Sequence, residues 1–261
     1  MEASAMYPEE LQKIQAFFQQ HTEVAVAFSG GVDSAVLLLL ASRYAKRVKA
    51  YYVKTQFQPQ FELEDAQKIA AYLKTDMKIL SLDVLSDAQI AANPENRCYY
   101  CKRKIFSCIA ESAAADGIQT VLDGTNASDD IADRPGYRAL QELGVLSPLK
   151  LCGYTKVMIR SIAAAHGLFV ADKPSYACLA TRIPYLTPVT VALLDTTQRA
   201  EDALRTRGFR NFRIRYRSGD AVIELGQAEF ERFFARRTEL YSLLAPYYRH
   251  IFLDLKERTD E

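Results

Sequence analysis

Three groups of residues in this chain of 261 have types and spacings that suit chemistry. The first is the turn Ser29-Gly30-Gly31-Val32-Asp33-Ser34, set between two apolar stretches. Backbone amides and the positive end of a helix hold phosphate at such a junction, and glycines let the backbone close on the oxygens because no Cβ blocks the approach. Ser29 and Ser34 add hydroxyls, and the Asp33 carboxylate suits Mg2+, a hard cation that prefers oxygen ligands. The lysine of the G-x-x-x-x-G-K-S/T pattern is missing, so this is not the loop of enzymes that cut a β-γ phosphate bond. A strand-to-helix turn capped by Asp33 or Ser34 is the plainer alternative.

The second group is cysteine. Cys98-Tyr99-Tyr100-Cys101 stands just before an expected helix, and Cys178 lies in Ser175-Tyr176-Ala177-Cys178-Leu179-Ala180-Thr181-Arg182. A C-x-x-C serves as a redox pair, half a zinc site or part of an iron-sulfur site, and a lone cysteine is most often a buried small hydrophobe. Cys108 and Cys152 read as packing residues or as the fourth ligand of a closed zinc tetrahedron. Five cysteines so unevenly spaced do not make a disulfide scaffold.

The third group is arginine. From Arg199 to Arg217 seven arginines face two acids, a local balance of +5 in a chain whose net charge is +1. A near-neutral chain has no global field to gather nucleic acid or membrane, so any anion site is local. Arg213, Arg215 and Arg217 fall at i, i+2 and i+4 and project from one face of a strand. Planar guanidinium groups there suit phosphate or carboxylate, although a solvated edge strand gives the same pattern. Asp123, Gly124 and Thr125, with Asp129 and Asp130, follow a strand end where they would meet a nucleotide or Mg2+, or cap their own turn. His21, His166 and His250 have no metal-like spacing.

The elements that must position these groups follow from periodicity. Strands are expected at 24–28, 49–53, 77–82 and 119–122, with helices at 33–45, 61–74 and 101–115 between them and a first helix from Pro8. Strands alternating with helices predict a parallel α/β sheet with ligands at the carboxyl ends of its strands, so the loops at 29–34, 54–58 and 123–130 should share one rim. From residue 173 the pattern changes to a helix at 190–207, strands at 211–216 and 220–225, and helical residues 227–246, a smaller α+β domain. The expected domains are 1–172 and 173–261. The longest apolar run, Ala35 to Ala41, is too short to cross a bilayer, and the first residues do not read as a secretory signal, so a cytoplasmic protein is expected.

The turn matches in full the SGG-x-DS signature and resembles the PP-loop of ATP pyrophosphatases, an adenine nucleotide alpha hydrolase-like fold that splits ATP between its α and β phosphates. Further matches are Arg97-Cys98-Tyr99-Tyr100-Cys101-Lys102, Asp123-Gly124-Thr125-Asn126, Arg134-Pro135-Gly136, Gly144-Val145-Leu146-Ser147-Pro148-Leu149 and Cys178-Leu179-Ala180-Thr181-Arg182-Ile183-Pro184-Tyr185. Together they resemble the LarE family of ATP-dependent sulfur-insertion enzymes, from about residue 20 to 225. The resemblance implies adenylation of a pyridinium biscarboxylate mononucleotide, displacement of AMP by sulfur, and a product that is the precursor of the nickel-pincer nucleotide of lactate racemase. It also implies that Cys98, Cys101 and Cys178 together hold a 4Fe-4S cluster with one iron open to sulfide, where other members use one sacrificial cysteine. Arg213 and Arg215 would hold the substrate phosphate, Arg182 would stand closer to the reacting carboxylate, and the assembly would be a homo-oligomer, a hexamer. The sulfide donor is left open. Competing readings are a PP-loop tRNA thiolase, for which the charge balance is poor, and a non-catalytic adenine-nucleotide sensor.

Overall fold

The computed structural model describes residues 7–130 and 135–259. Arg134, one residue of the Arg134-Pro135-Gly136 match, lies outside them. Chain order begins α1 (Pro8–Gln20), β1 (Glu23–Ala27), α2 (Val32–Tyr44), β2 (Arg47–Lys54), α3 (Gln60–Tyr72) and β3 (Met77–Ser81). There follow α4 (Ala88–Ala91), α5 (Arg97–Ala115), β4 (Thr120–Leu122), α6 (Pro135–Glu142), α7 (Pro148–Leu151) and α8 (Lys156–Ala165). The chain ends with α9 (Val191–Arg205), β5 (Phe212–Arg217), β6 (Asp220–Leu225), α10 (Phe230–Ala235), α11 (Arg237–Leu244) and β7 (Ile251–Leu253). Among the described residues no helix is long and apolar enough to cross a membrane.

The chain divides into two compact units. The first comprises residues 1–55, 60–84 and 96–173, the second 56–59, 85–95 and 174–261. The first unit is the expected α/β layer. Its four parallel strands run in the order β3-β2-β1-β4. Strands buried on both faces need no polar alternation, and the alternation here sorts apolar residues between two cores. Val24 and Val26 of β1 and Ala50 and Tyr52 of β2 face one core, with α2 and with Ile159, Ile162 and Ala163 of α8. Ala25, Tyr51 and Val53 face the other, against Phe106, Ile109 and Ala113 of α5. At the amino-terminal end of the sheet the Asp116 carboxylate accepts from Tyr51 Oη at 2.7 Å, and the ammonium groups of Lys49 and Lys78 each stand 3.2 Å from it.

Because β1 lies between β2 and β4, the chain winds one way from β1 through β3 and returns on the other side for β4. Such a reversal opens a crevice at the carboxyl ends of β1 and β4, where the turns Ser29–Ser34 and Asp123–Asn126 lie. Helix α5 begins at Arg97, earlier than periodicity alone suggests, so Cys98 and Cys101 occupy its first turn instead of preceding it.

The second unit has its own mixed sheet, β5-β6-β7, with β5 and β6 antiparallel and β6 and β7 parallel. Ser218 and Gly219 close the β5-β6 hairpin with φ of 50° and 94°. Two consecutive left-handed residues match the twist of the flanking strands. Phe212, Ile214, Ile223 and Leu225 pack on Leu204 of α9 and on Leu240 and Leu244 of α11. The helical residues expected over 227–246 form a 3-10 turn followed by α10 and α11. Arg236 separates the two helices, with φ −111° and ψ 13°, while its guanidinium bonds Glu239 and the Arg207 carbonyl.

Candidate active site

In the first unit the Ser29–Ser34 turn is organised by its own hydroxyls. Ser34 Oγ donates to the Gly31 carbonyl at 3.1 Å and accepts the Ser29 amide at 3.3 Å, and the two hydroxyls stand 3.1 Å apart. Gly30 has φ +77°, a conformation that glycine adopts without strain. A Cβ there would lie 3.1 Å from both Ala66 Cβ and the Glu62 carbonyl, so the turn also rests directly on α3. Gly31 is the N-cap of α2 and supplies no side-chain acceptor, which leaves the first amides of the helix for an anion.

The β4 turn meets this loop. A Cβ on Gly124 would lie 3.0 Å from the Ser34 nitrogen, so glycine is what permits the approach. The Asp123 carboxylate is buried and turned inward, accepting from Ser147 Oγ and Thr125 Oγ1, each at 2.5 Å. Asp123 and Thr125 thus build the turn. Asp129 Oδ2 accepts the Asn126 amide at 2.9 Å.

Asp33 stands at the mouth of the loop, its Oδ2 2.5 Å from Lys156 Nζ and its Oδ1 accepting Asn126 Nδ2 at 3.1 Å. Sequence reasoning missed Lys156. A signal was present: lysine in the first turn of a helix opposes the helix dipole, and Thr155 in front of it is a capping residue whose Oγ1 accepts the Met158 amide. A cation placed against that field needs a partner, and Asp33 is the partner.

Cys98 and Cys101, three apart on the first turn of α5, share a helix face and are partly exposed. The start of α6 packs beside them: a Cβ on Gly136 would sit 3.7 Å from Cys98 Cβ, an ordinary contact distance. Cys108 and Cys152 belong to packing: burial pushes both thiols up, Cys152 to about 11. Within either unit, among the described residues, no three His, Cys, Asp or Glu side chains are grouped so as to hold a metal ion.

In the second unit Cys178 is the partly exposed N-cap of a 3-10 turn, Leu179–Arg182. Arg182 is buried. Its Nε and Nη2 go to the two oxygens of Glu201 at 2.7 and 3.2 Å, and Nη1 goes to the Ala177 carbonyl at 2.9 Å and Thr181 Oγ1 at 3.0 Å. Tyr176 lies under the guanidinium, 4.5 Å from ring centre to carbon, and donates to Glu201 at 2.7 Å. Burial works against the charge of Arg182, and the Glu201 carboxylate, joined by Tyr176 and Cys178, more than offsets it. Glu201 is the second residue that sequence reasoning passed over, since on α9 it reads as one more surface acid.

Arg213 and Arg215 lie on the face of β5 opposite its core residues. Arg215 Nε donates to Glu224 at 2.8 Å and Nη1 to the Thr181 carbonyl at 2.5 Å. Arg213 Nε is buried without a hydrogen-bond partner among the described residues. Burial first, then repulsion from Arg258, Arg182 and Arg215, hold its guanidinium down to about 10. Arg213 is thus a half-buried cation with three cations and one carboxylate, Glu224, acting on it, an excess of positive charge that an anion would balance.

Residues 13–149 match the asparagine synthase family. An uncharacterized protein of Synechocystis is 35% identical over 233 residues, 87% of this chain and 85% of its own length. The pyridinium-3,5-bisthiocarboxylic acid mononucleotide synthase of Lactiplantibacillus plantarum is 32% identical over 235 residues, 89% of this chain and 85% of its own. The tRNA-specific 2-thiouridylase MnmA of Fervidobacterium nodosum is 29% identical across 58% of this chain and 54% of its own. The chain belongs to the LarE family of ATP-dependent sulfurtransferases, within the PP-loop ATP pyrophosphatase superfamily.

Proposed function

We propose that the chain converts pyridinium-3,5-biscarboxylic acid mononucleotide to its thiocarboxylates for the nickel-pincer nucleotide; the name of its Lactiplantibacillus relative, a pyridinium-3,5-bisthiocarboxylic acid mononucleotide synthase, carries the product. Oxide is a hopeless leaving group from a carboxylate, so activation comes first. A substrate carboxylate oxygen attacks the α-phosphorus of ATP, the bond to the β-phosphate bridging oxygen breaks, and pyrophosphate leaves. Sulfide then adds to the acyl carbon and AMP departs with the electron pair of the acyl–oxygen bond. Ser29, Gly30, Gly31 and Ser34 cradle the leaving pyrophosphate, Gly124 and Thr125 border the nucleotide, and Asp33 receives Mg2+. Lys156 answers the phosphate charge beside it. The observation that carries this reading is the open helix end at Gly31 with Asp33 and Lys156 at its mouth.

Cys98, Cys101 and Cys178 are partly exposed thiols, the donor type that an iron-sulfur cluster takes. These three would hold a 4Fe-4S cluster, which would supply an iron free to take an added sulfide, so that the protein's own sulfur is spared. Arg213 and Arg215 hold the substrate phosphate, and Arg182 orients the Cys178 segment toward the reacting carboxylate. The division of labour follows the domains 1–172 and 173–261, in a cytoplasmic homo-oligomer, a hexamer by resemblance.

Pyrophosphate release that requires the pyridinium dicarboxylate tests the reaction, and ATP binding without turnover would replace it with a nucleotide sensor. The MnmA relatives supply the rival, a tRNA thiolase; retarded migration of bulk tRNA would favour it. Anaerobic purification should give a brown protein whose visible absorbance is lost in Cys98→Ala and Cys178→Ala. A colourless protein loaded with zinc overturns the cluster. Mass spectrometry after turnover should find Cys178 intact, and loss of the elements of hydrogen sulfide would make it the sacrificial donor.

A further inference from the structure

The segment Ser175–Arg182, which carries Cys178, is held from three sides within the second unit by guanidinium groups on its carbonyl oxygens. Arg182 takes the Ala177 carbonyl at 2.9 Å, Arg215 takes that of Thr181 at 2.5 Å, and Arg258 Nη2 takes that of Ser175 at 2.9 Å. These arginines come from the segment itself, from β5 and from residues after β7. Arg258 is buried and is fixed in turn, its amide donating to the Leu225 carbonyl at 2.8 Å and its Nη1 to Asn211 Oδ1. Arg213 lies two residues before Arg215 on the same face of β5, its Nε is buried without a hydrogen-bond partner among the described residues, and Arg258, Arg182 and Arg215 all act against its charge. The groups that grip the cysteine segment are thus the ones whose repulsion of Arg213 an anion would offset.

We propose that Arg258 is a positioning residue for Cys178, and that a phosphate drawn to Arg213 and Arg215 tightens the whole clamp. A guanidinium has five N–H donors, and Arg215 spends one on Glu224 and one on Thr181, so it accepts an anion without releasing the carbonyl. An anion there offsets the repulsion that Arg258, Arg182 and Arg215 exert on Arg213, so the arrangement in which these three hold the segment costs less. Substrate phosphate would thereby order the segment before sulfur chemistry begins. The coupling rests on the reading that Arg213 and Arg215 receive phosphate; the role of Arg258 on the Ser175 carbonyl does not.

Hydrogen–deuterium exchange on the full chain, with and without inorganic phosphate, separates the two. In Arg258→Met, residues 174–182 should exchange about tenfold faster without phosphate, the loss of one charge-assisted hydrogen bond. Exchange in α11 should stay unchanged, and Arg258→Lys should restore part of the protection. Phosphate should slow exchange in 174–182 of the wild type and not of Arg258→Met, although calorimetry finds phosphate still bound by the variant. Unchanged exchange in 174–182, or an increase shared equally with α11, overturns the positioning role. A wild type that binds no phosphate overturns the coupling and the phosphate reading together, and the phosphate-free comparison still decides the role of Arg258.

Discussion

The Ser29–Ser34 loop and the region around Cys178 are built in opposite ways. The Ser29–Ser34 loop uses backbone: glycines, two hydroxyls and the open end of α2, all within six consecutive residues. The Cys178 region uses charged side chains brought from Arg182, Glu201, Arg213, Arg215 and Arg258. Amide dipoles are uncharged as they wait for a ligand, whereas guanidinium groups must be held against one another by buried carboxylates. The backbone site therefore fails when a Cβ is added, and the side-chain site fails when a charge is left unmatched.

The largest effect should come from the side-chain site. Glu201→Gln leaves the Arg182 guanidinium in the interior without its counter-charge, at a cost of about 3–5 kcal/mol, read from the urea midpoint. A change below about 1 kcal/mol would mean that water reaches the pair. Next comes the backbone site, where Gly30→Ala forces φ +77° on an alanine and crowds Ala66 and Glu62. It should cost about 1–3 kcal/mol and remove ATP-dependent pyrophosphate release. Gly31→Ala sharpens the contrast, because a Cβ at Gly31 would meet only Ser29 Oγ, at 3.5 Å. It should lower stability by about 1 kcal/mol or less while still weakening ATP, as seen by comparing unfolding with nucleotide titration.

Smaller effects belong to the first unit. The Tyr52 hydroxyl is buried without a hydrogen-bond partner among the described residues, so Tyr52→Phe should hold or raise the melting temperature, by about 1 kcal/mol in stability at most. A lower melting temperature would point to a water on that oxygen. The smallest is a pH effect. Hydrogen bonds from Tyr51, Lys49 and Lys78 hold the Asp116 carboxyl down to about 2, from an ordinary value near 3.8. A depressed carboxyl contributes stability above its unfolded value and loses it as pH falls through the folded one. The wild type should therefore weaken between about pH 4 and pH 2 more than Asp116→Asn does, in acid titrations followed by circular dichroism.

What could be read from the sequence follows the same divide. The strand, turn and helix around Gly30 are contiguous, so their pattern states both the element and its task, and the order β1, α2, β2, α3, β3 follows from period alone. Lys156, Asn126, Glu201 and Arg258 reach their partners from 19 to 123 residues away, a distance at which no local pattern speaks. Periodicity also leaves α6, α8 and β7 unassigned; β7 has three residues, too few to display alternation. The start of α5 escapes it because Cys98-Tyr99-Tyr100-Cys101 has little helical character of its own, and Tyr99 is secured there by a 2.6 Å hydrogen bond to Glu142 of α6.

The two-residue turn at Ser218 and Gly219 sets which side of the second sheet carries cation. Strand neighbours alternate between faces, so inserting one residue between Arg215 and the turn would slip the ladder and carry Arg213 and Arg215 through the sheet into the apolar layer, bringing Ile214 out in their place. A single peptide unit at that corner is the difference between a strand that greets an anion and one that greets oil.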